Sequence, residues 1–196
     1  VALLVRRANP FAVALQEALA GFGESGVLAL EVALDRKAFA EAFTVARIGG
    51  EDGRILRSLF ETWVDLTNIA TLLKVAEPAQ AAEFLLPGGA HTSEERHRDL
   101  ASLPRTALPD VLDAWAAPLV GRAGIPKLAS PPQADLLLSR ALARGMRRLA
   151  RAQPLSIAVP LSFVLDRQAE VRRIELVLRG TDFGLPAEEL LELLEV

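Results

Sequence analysis

Two histidines, His91 and His97, are the only imidazoles in the chain. A metal site or a neutral-pH acid–base pair built on histidine would have to use them. Standing six residues apart, they do not share one helical face as ligands at i, i+4 would, and the spacing predicts loop or surface histidines. Ser139, Ser156 and Ser162 lack the Gly-x-Ser-x-Gly setting of an exposed nucleophile and have no histidine nearby in sequence. Glu94, Glu95 and Asp99, and again Glu188, Glu189 and Glu192, fall in no repeated carboxylate–histidine or Asp-Asp-x-x-Asp ligand box. Solvated helix faces and first turns, where the helix dipole favours negative charge, account for them. Gly49-Gly50-Glu51-Asp52-Gly53 has the glycines of a phosphate loop but not its Lys-Ser/Thr end, and the two acids would repel an anion. With no cysteine there is neither disulfide nor thiolate ligand. The expectation is therefore no catalytic residue, no cofactor-binding residue, no metal ligand and no enzyme activity. One charged pattern stays open. Arg144, Arg147, Arg148 and Arg151 form a basic stripe, readable as a solvated helix face, which the pattern favours, or as a dock for an acidic partner surface.

The elements that would carry these residues are helical. Half of the 196 residues are apolar (51%), aromatics make up 5%, and there is no tyrosine. Leu, Ala, Arg and Glu dominate, while β-branched residues gather only near 157–164 and 171–177, which predicts an all-α chain. A net charge of −3 argues against a general nucleic-acid binder, since phosphate neutralisation needs a basic surface. No charge-free apolar run reaches the ~18 residues of a membrane span. No signal-peptide pattern stands at the start, and Val1 without a methionine predicts a fragment.

Along the chain, apolar spacing predicts a short helix over 11–21, a longer one over 27–47, and a third over 53–75 with the clearest periodicity. In the third, Ile55, Leu56, Leu59, Phe60, Trp63, Leu66, Ile69, Leu72 and Leu73 recur at i, i+3, i+4, over roughly 33 Å at ~1.5 Å per residue. Leu59, Phe60, Trp63, Leu66 and Ile69 are the expected core of this region. Gly49-Gly50 is expected to cap the preceding helix in the left-handed conformation, giving an antiparallel hairpin. Short helices are expected over 78–86, 93–101 and 108–121. The Gly/Pro-rich stretch 121–133 is the expected boundary between two lobes, 1–125 and 126–196. The hairpin then recurs as an Arg-rich helix over 134–152 and a second running to 178, which Pro160 should kink or shorten. A final helix over 186–194 starts at Pro186.

The second hairpin repeats part of the first. VDLTNIATLLK (64–74) aligns with AEVRRIELVLR (169–179) at a constant offset of 105 residues. Asp65 falls on Glu170, Ile69 on Ile174, Leu72 on Val177 and Lys74 on Arg179. Each copy leads into a Phe-x-Leu-Pro break, Phe84-Leu-Leu-Pro87 and Phe183-Gly-Leu-Pro186. Such repetition predicts a scaffold of repeated antiparallel helical hairpins rather than one catalytic pocket.

These segments resemble a known family. LALEVALDRKAF (28–39), VDLTNIATLLK (64–74), FLLPGG (84–89) and LDRQAEVRRIELVLRGTDFGLPAEEL (165–190) are similar, in order, to the motifs of the C subunit of V/A-type rotary ATPases, the counterpart of the d subunit in vacuolar enzymes. Arg179-Gly180 and Gly184-Leu185-Pro186 carry the most specific part of the likeness. Arg173 departs from it, standing where the family often has Asn, as does Asp166-Arg167-Gln168, and residues 98–132 match nothing recognisable. The resemblance implies helical lobes around a pseudo-threefold axis that form a funnel. It also implies a non-catalytic central-stalk adaptor between the axle (the D and F subunits) and the membrane rotor ring. Such an adaptor transmits torque for proton or sodium transport coupled to ATP hydrolysis or synthesis. It would sit peripherally on the cytoplasmic face of the membrane, with no nucleic acid and no cofactor. Full-length members carry a further lobe ahead of this region, so the chain would be the C-terminal part of a longer protein or a short relative. The resemblance identifies no contact residue; Asp65, Asn68, Glu170 and Arg173 are read as lobe-internal hydrogen bonding or helix-face charge. A generic helical-repeat interaction scaffold is the alternative, and an all-α enzyme the weakest reading.

Overall fold

Leucine, alanine and arginine at helical spacing leave the backbone one economical way to satisfy its own polar groups, and helix is the sole extended regular structure among the described residues. The structure, a computed structural model, describes residues 22–74, 84–91 and 131–195 together with Ala12, Leu15, Gln16, Leu19, Asp99, Ser102, Leu103, Pro104, Ala107 and Asp110. Of the helix expected over 78–86 only 84–86 is described, and there the chain has left helix by Leu85. The short helices expected over 93–101 and 108–121, the boundary stretch before Pro131, and His97 lie outside the described residues or touch them only at isolated positions. The chain divides into two units, Val1–Leu103 and Pro104–Val196. The lobe boundary expected at 125/126 lies outside the described residues.

In the first unit, α1 (Phe22–Val45) passes through a 3₁₀ turn, Ala46–Ile48, into α2 (Gly50–Lys74). α1 starts five residues before its expected position, because a helical glycine costs only about 1 kcal/mol and Gly23 and Gly26 do not forbid the turn. The glycine junction differs from the expected cap. Gly49 has φ 80° and ψ 179°, an extended mirror-image conformation rather than a left-handed helical one. α2 opens at once on Gly50, with Glu51 and Asp52 in its first turn against the positive end of the dipole. Phe39 meets Trp63 and Phe43 meets Phe60 edge-on, each pair with centroids 6.1 Å apart. Rising numbers on α1 thus meet falling numbers on α2, so the hairpin is antiparallel.

The α2 stripe supplies the core. Ile55, Leu56, Leu59, Val64, Leu66, Ile69 and Leu72 are all buried, with Val32 reaching them from α1. Phe60 and Trp63, expected in the same core, are half-buried and form its rim through the edge-on pairs. The half-buried ion pair Lys37–Glu41 and the exposed pair Arg57–Glu61 each link neighbouring turns of one helix and add little stability.

In the second unit α3 (Pro131–Ala152) and α4 (Ala158–Asp182) form another antiparallel hairpin, since Arg147 pairs with Asp166 and Arg172 bonds Ser139. Alanine at 141, 143, 158 and 169 is buried together with Leu142, Met146 and Leu165, small side chains that let the two helices approach closely. Pro160 shortens the start of α4 as expected. It lies in the first turn, where its missing N–H has no helical acceptor to lose, and Leu161 N–H reaches the Ile157 carbonyl at 3.1 Å.

The end of α4 is a Schellman turn: Gly184 N–H bonds Thr181 O at 3.0 Å and Leu185 N–H bonds Gly180 O at 2.8 Å. Gly184 provides the required φ of 71°. Leu185 and Leu190 close over Gly180, where a Cβ would collide with Leu190, and α5 (Ala187–Glu195) is thereby laid back along α4. Arg179-Gly180 and Gly184-Leu185-Pro186 therefore form one device that turns the chain.

Leu66 is 4% exposed in the first-unit core. Leu66→Ala should cost about 2–5 kcal/mol; a chemical-denaturation midpoint unchanged by this substitution would remove Leu66 from the core.

Candidate functional site

Two polar side chains are buried among the described apolar ones, Asp65 at 4% exposure and Asn68 at 0%. Each burial demands hydrogen-bond partners, because an unsatisfied polar group in such a place costs about 1–3 kcal/mol. Both find them on the loop 84–91. Asn68 Nδ2 donates to the Leu86 carbonyl at 2.9 Å, and Leu86 N–H donates back to Asn68 Oδ1 at 2.7 Å. One carboxamide thus closes a two-point clamp on one peptide. A turn earlier on α2, the Asp65 carboxylate accepts from His91 N–H at 3.0 and 3.2 Å. Arg36 on α1 adds a third tie, donating to the Leu85 carbonyl at 3.2 Å.

The loop responds by burying Leu85 and Leu86 and packing Phe84 beside Phe39, Phe43, Val32 and Val64. Gly88 takes φ 99° directly over the Phe43 ring, where a Cβ would stand 2.8 Å from Cε2. The helix motif and the Leu-Pro-Gly-Gly loop are two halves of one lock. His91 enters it through its backbone N–H.

The second copy of the motif is not locked in this way. Glu170, the counterpart of Asp65, is exposed and pairs with Arg167 at 2.5 Å. Arg173 stands where Asn68 would be, and a guanidinium has no acceptor to offer a peptide N–H. The apolar positions follow suit: Val171, Ile174, Val177 and Leu178 are 53%, 54%, 37% and 62% exposed. Their first-copy counterparts with described side chains, Leu66, Ile69 and Leu72, are 4% exposed or less.

A cleft of about 630 Å³ opens on that exposed face. α3 lines one wall with Arg140, Arg144 and Arg147; α4 provides Arg173 and an apolar floor of Ile174, Val177 and Leu178; Leu194 of α5 closes one end. Arg140 donates to the Leu194 carbonyl, while its Nε is buried without a hydrogen-bond partner. Burial, with the charges of Arg173 and Arg144 added to it, lowers the Arg140 pKa from its ordinary value. Arg147 is the partly neutralised member, 3.4 Å from Asp166. The basic stripe expected from the residue spacing is therefore split, since Arg144 and Arg147 enter the cleft while Arg148 and Arg151 do not line it. Arg140 and Arg173 were not part of the expected stripe. Arg140 continues it one turn back at i−4, and Arg173 is the charged substitute within the repeat.

Among the described residues no three His, Asp or Glu side chains gather as a metal site. Ser156 Oγ accepts from Ala158 N–H at the start of α4, and Ser162 Oγ donates to the Val159 carbonyl. Ser139 accepts from Arg172. No helix among the described residues is long and apolar enough to cross a membrane.

The chain thus combines a Val-Asp-x-x-Asn-Ile helix locked on a Phe-Leu-Leu-Pro-Gly-Gly loop with an Arg-Gly…Gly-Leu-Pro turn. The family described as ATP synthase (C/AC39) subunit matches residues 2–193. The chain belongs to this family. The C subunit of the A-type ATP synthase of Thermococcus onnurineus (strain NA1) is 31% identical to it over 97% of this chain and 52% of the relative. The corresponding protein of Halorubrum lacusprofundi is 29% identical over 90% of this chain and 52% of its own length. That of Desulfurococcus sp. (strain SY) is 27% identical over 97% and 53%. The chain spans about half the length of the curated relatives it matches. No solved structure matches it.

Within this C/AC39 member, Asn68→Ala should cost about 2–4 kcal/mol by stranding both polar groups of Leu86. Asn68→Asp should not rescue it, because a carboxylate oxygen would face the Leu86 carbonyl. The Leu86 amide, measured by hydrogen exchange, should lose its protection in both variants; retained protection in Asn68→Ala would show that something else holds the loop.

Asp35 on α1 gives a pH test. Loss of hydration, and then the Glu31 charge, raise its carboxyl pKa above the ordinary 3.8. Between 3.8 and the raised value the folded state binds more protons than the unfolded one, so Asp35 lowers stability as pH rises through that window. Because Asp35 keeps much of its contact with solvent, Asp35→Asn should raise Tm only slightly at neutral pH, with the gain shrinking to nothing as pH falls below 3.8. A gain that persists in acid would assign the effect to packing instead.

Proposed function

We propose that this chain is part of a non-catalytic rotor adaptor of a V/A-type ATPase, joining the central axle, built from the D and F subunits, to the membrane rotor ring. The observation that carries this reading is the family match over residues 2–193. The relatives it aligns with are each named as the C subunit of an A-type ATP synthase. The physics of the chain supports it. Torque transmission needs elements that bend little under load. An antiparallel hairpin with an interlocked aromatic rim, and a loop bonded to both its helices by three side chains, supply such stiffness within the first unit. The adaptor works by contact alone, sits on the cytoplasmic face without entering the bilayer, and needs no cofactor. It would serve proton or sodium movement coupled to ATP hydrolysis or synthesis.

Co-expression tests the proposal directly. The full-length protein containing this chain should co-purify with the cognate D–F axle and with the rotor ring. Deleting its gene should leave membrane vesicles with ATPase sectors that no longer pump ions. Recovery of intact axle and ring without the protein, together with unimpaired pumping in its absence, would overturn the assignment.

A further inference from the structure

The arginine-walled cleft of the second unit has features that a structural role for its residues does not explain. Three arginines recur on α3 at i, i+4 and i+7, a ladder about 10 Å long, and Arg173 faces them across the floor from α4. Among the described residues neither Arg144 nor Arg173 makes an ion pair or hydrogen bond. Arg140 keeps a buried, unpartnered Nε–H. Solvent screens the exposed Arg144 and Arg173, and an anionic group seated in the cleft would relieve the repulsion among the arginines and gain strength by excluding that solvent. Beneath them Ile174, Val177 and Leu178 occupy i, i+3 and i+4 and remain exposed at 54%, 37% and 62%. A small anion such as phosphate would satisfy the arginines and leave that floor wet. Two signals together, a ladder of cations and an apolar strip about one turn long beside it, match the complementary surface of one helix.

We infer that this cleft is a docking groove for an amphipathic helix of a partner protein, with carboxylates at i, i+4 and i+7 flanking a leucine stripe. The chain already shows the chemistry in miniature: α5, AEELLELLE, is acidic and leucine-rich, and Leu194 and the Arg140–Leu194 bond place it at one end of the groove. Among the described residues nothing else covers the floor, which leaves room for a second helix. The groove keeps this chemistry whatever assembly the chain joins, so its docking role stands or falls apart from the rotor reading.

A synthetic helical peptide of about 15 residues, with Glu at i, i+4 and i+7 beside a leucine stripe, is the probe, titrated against the full-length protein by calorimetry or fluorescence anisotropy. Binding should be saturable and one-to-one, and should weaken as salt rises from about 0.05 to about 0.5 M. Arg144→Glu combined with Arg173→Glu should weaken it by about tenfold or more, while Arg148→Glu, on the same helix outside the cleft, should leave it unchanged. The peptide with Lys in place of each Glu should bind the double variant better than the unaltered chain. That reciprocal swap also shows that the variant is folded, as does an unchanged helical circular dichroism spectrum. Four outcomes would overturn the inference: no saturable binding to the unaltered chain; equal binding of the Glu and Lys peptides; a dimer of the unaltered chain that dissociates in the double variant, which would make a second copy the occupant; or arginine-dependent binding to phosphatidylserine vesicles without peptide binding, which would make the groove a lipid contact.

Discussion

One carboxamide holds the first unit's loop in place. Asn68 presents an acceptor and a donor side by side, the pair of groups needed to complete a peptide N–H and a peptide carbonyl at once. Aspartate offers two acceptors, leucine none, and glutamine would carry the amide one methylene too far. Because the residue is fully buried, the alternative to the clamp is not a solvated loop but stranded polar groups inside an apolar core. The Leu85-Leu86 pair, the Phe84 ring and the close pass of Gly88 over Phe43 are all positioned by that choice. The same lock closes the face of α2 that carries Val64 and Leu72, so the core and the loop are one cooperative unit.

In the second copy of the motif this constraint is lifted. The helical pattern of α2 is kept in α4, including the apolar spacing, but the amide position holds arginine. A guanidinium cannot complete a peptide N–H, and its charge resists burial, so that face remains open and its apolar residues stay in contact with water. The chain after α4 finds another solution, a Schellman turn whose bonds are all backbone to backbone, with Gly180 admitting Leu185 and Leu190. One duplicated helix thus ends in two ways: held by a side chain from its own surface, or folded back by its own terminus.

Much of this was legible from the residues. Periodicity is a local property, and it placed the four long helices, the antiparallel hairpins and the buried stripe from Leu59 to Leu72. Pro160 and the Gly184-Leu185-Pro186 break acted where backbone chemistry says they must. The pairing of Asp65 and Asn68 with a loop some twenty residues away was legible only as lobe-internal hydrogen bonding, because sequence spacing does not say which peptide a buried amide will reach. α1 starts ahead of its apolar pattern because glycine is a weak helix breaker when neighbouring turns are favourable. The rim position of Phe60 and Trp63 reflects ring size: an aromatic can cover a core edge that a leucine would have to enter. The composition of the cleft was least legible. Arg140 and Arg173 lie on different helices, and only the antiparallel pairing of α3 with α4 brings them to the same opening.

That juxtaposition also explains why the two copies cannot be interchangeable. Asn at 173 would offer a peptide the donor and acceptor that Asn68 offers Leu86, which arginine does not. Arginine there forgoes that pairing, and with Arg140 and Arg144 it concentrates positive charge over an apolar floor in a chain whose net charge is negative. Local rules broken together at one place, while the rest of the described fold obeys them, are the pattern of a surface kept for binding rather than for packing. In the first unit the helix meets its loop through Asp65 and Asn68; in the second, Glu170 and Arg173 stand at those positions, and among the described residues no loop is bonded to them.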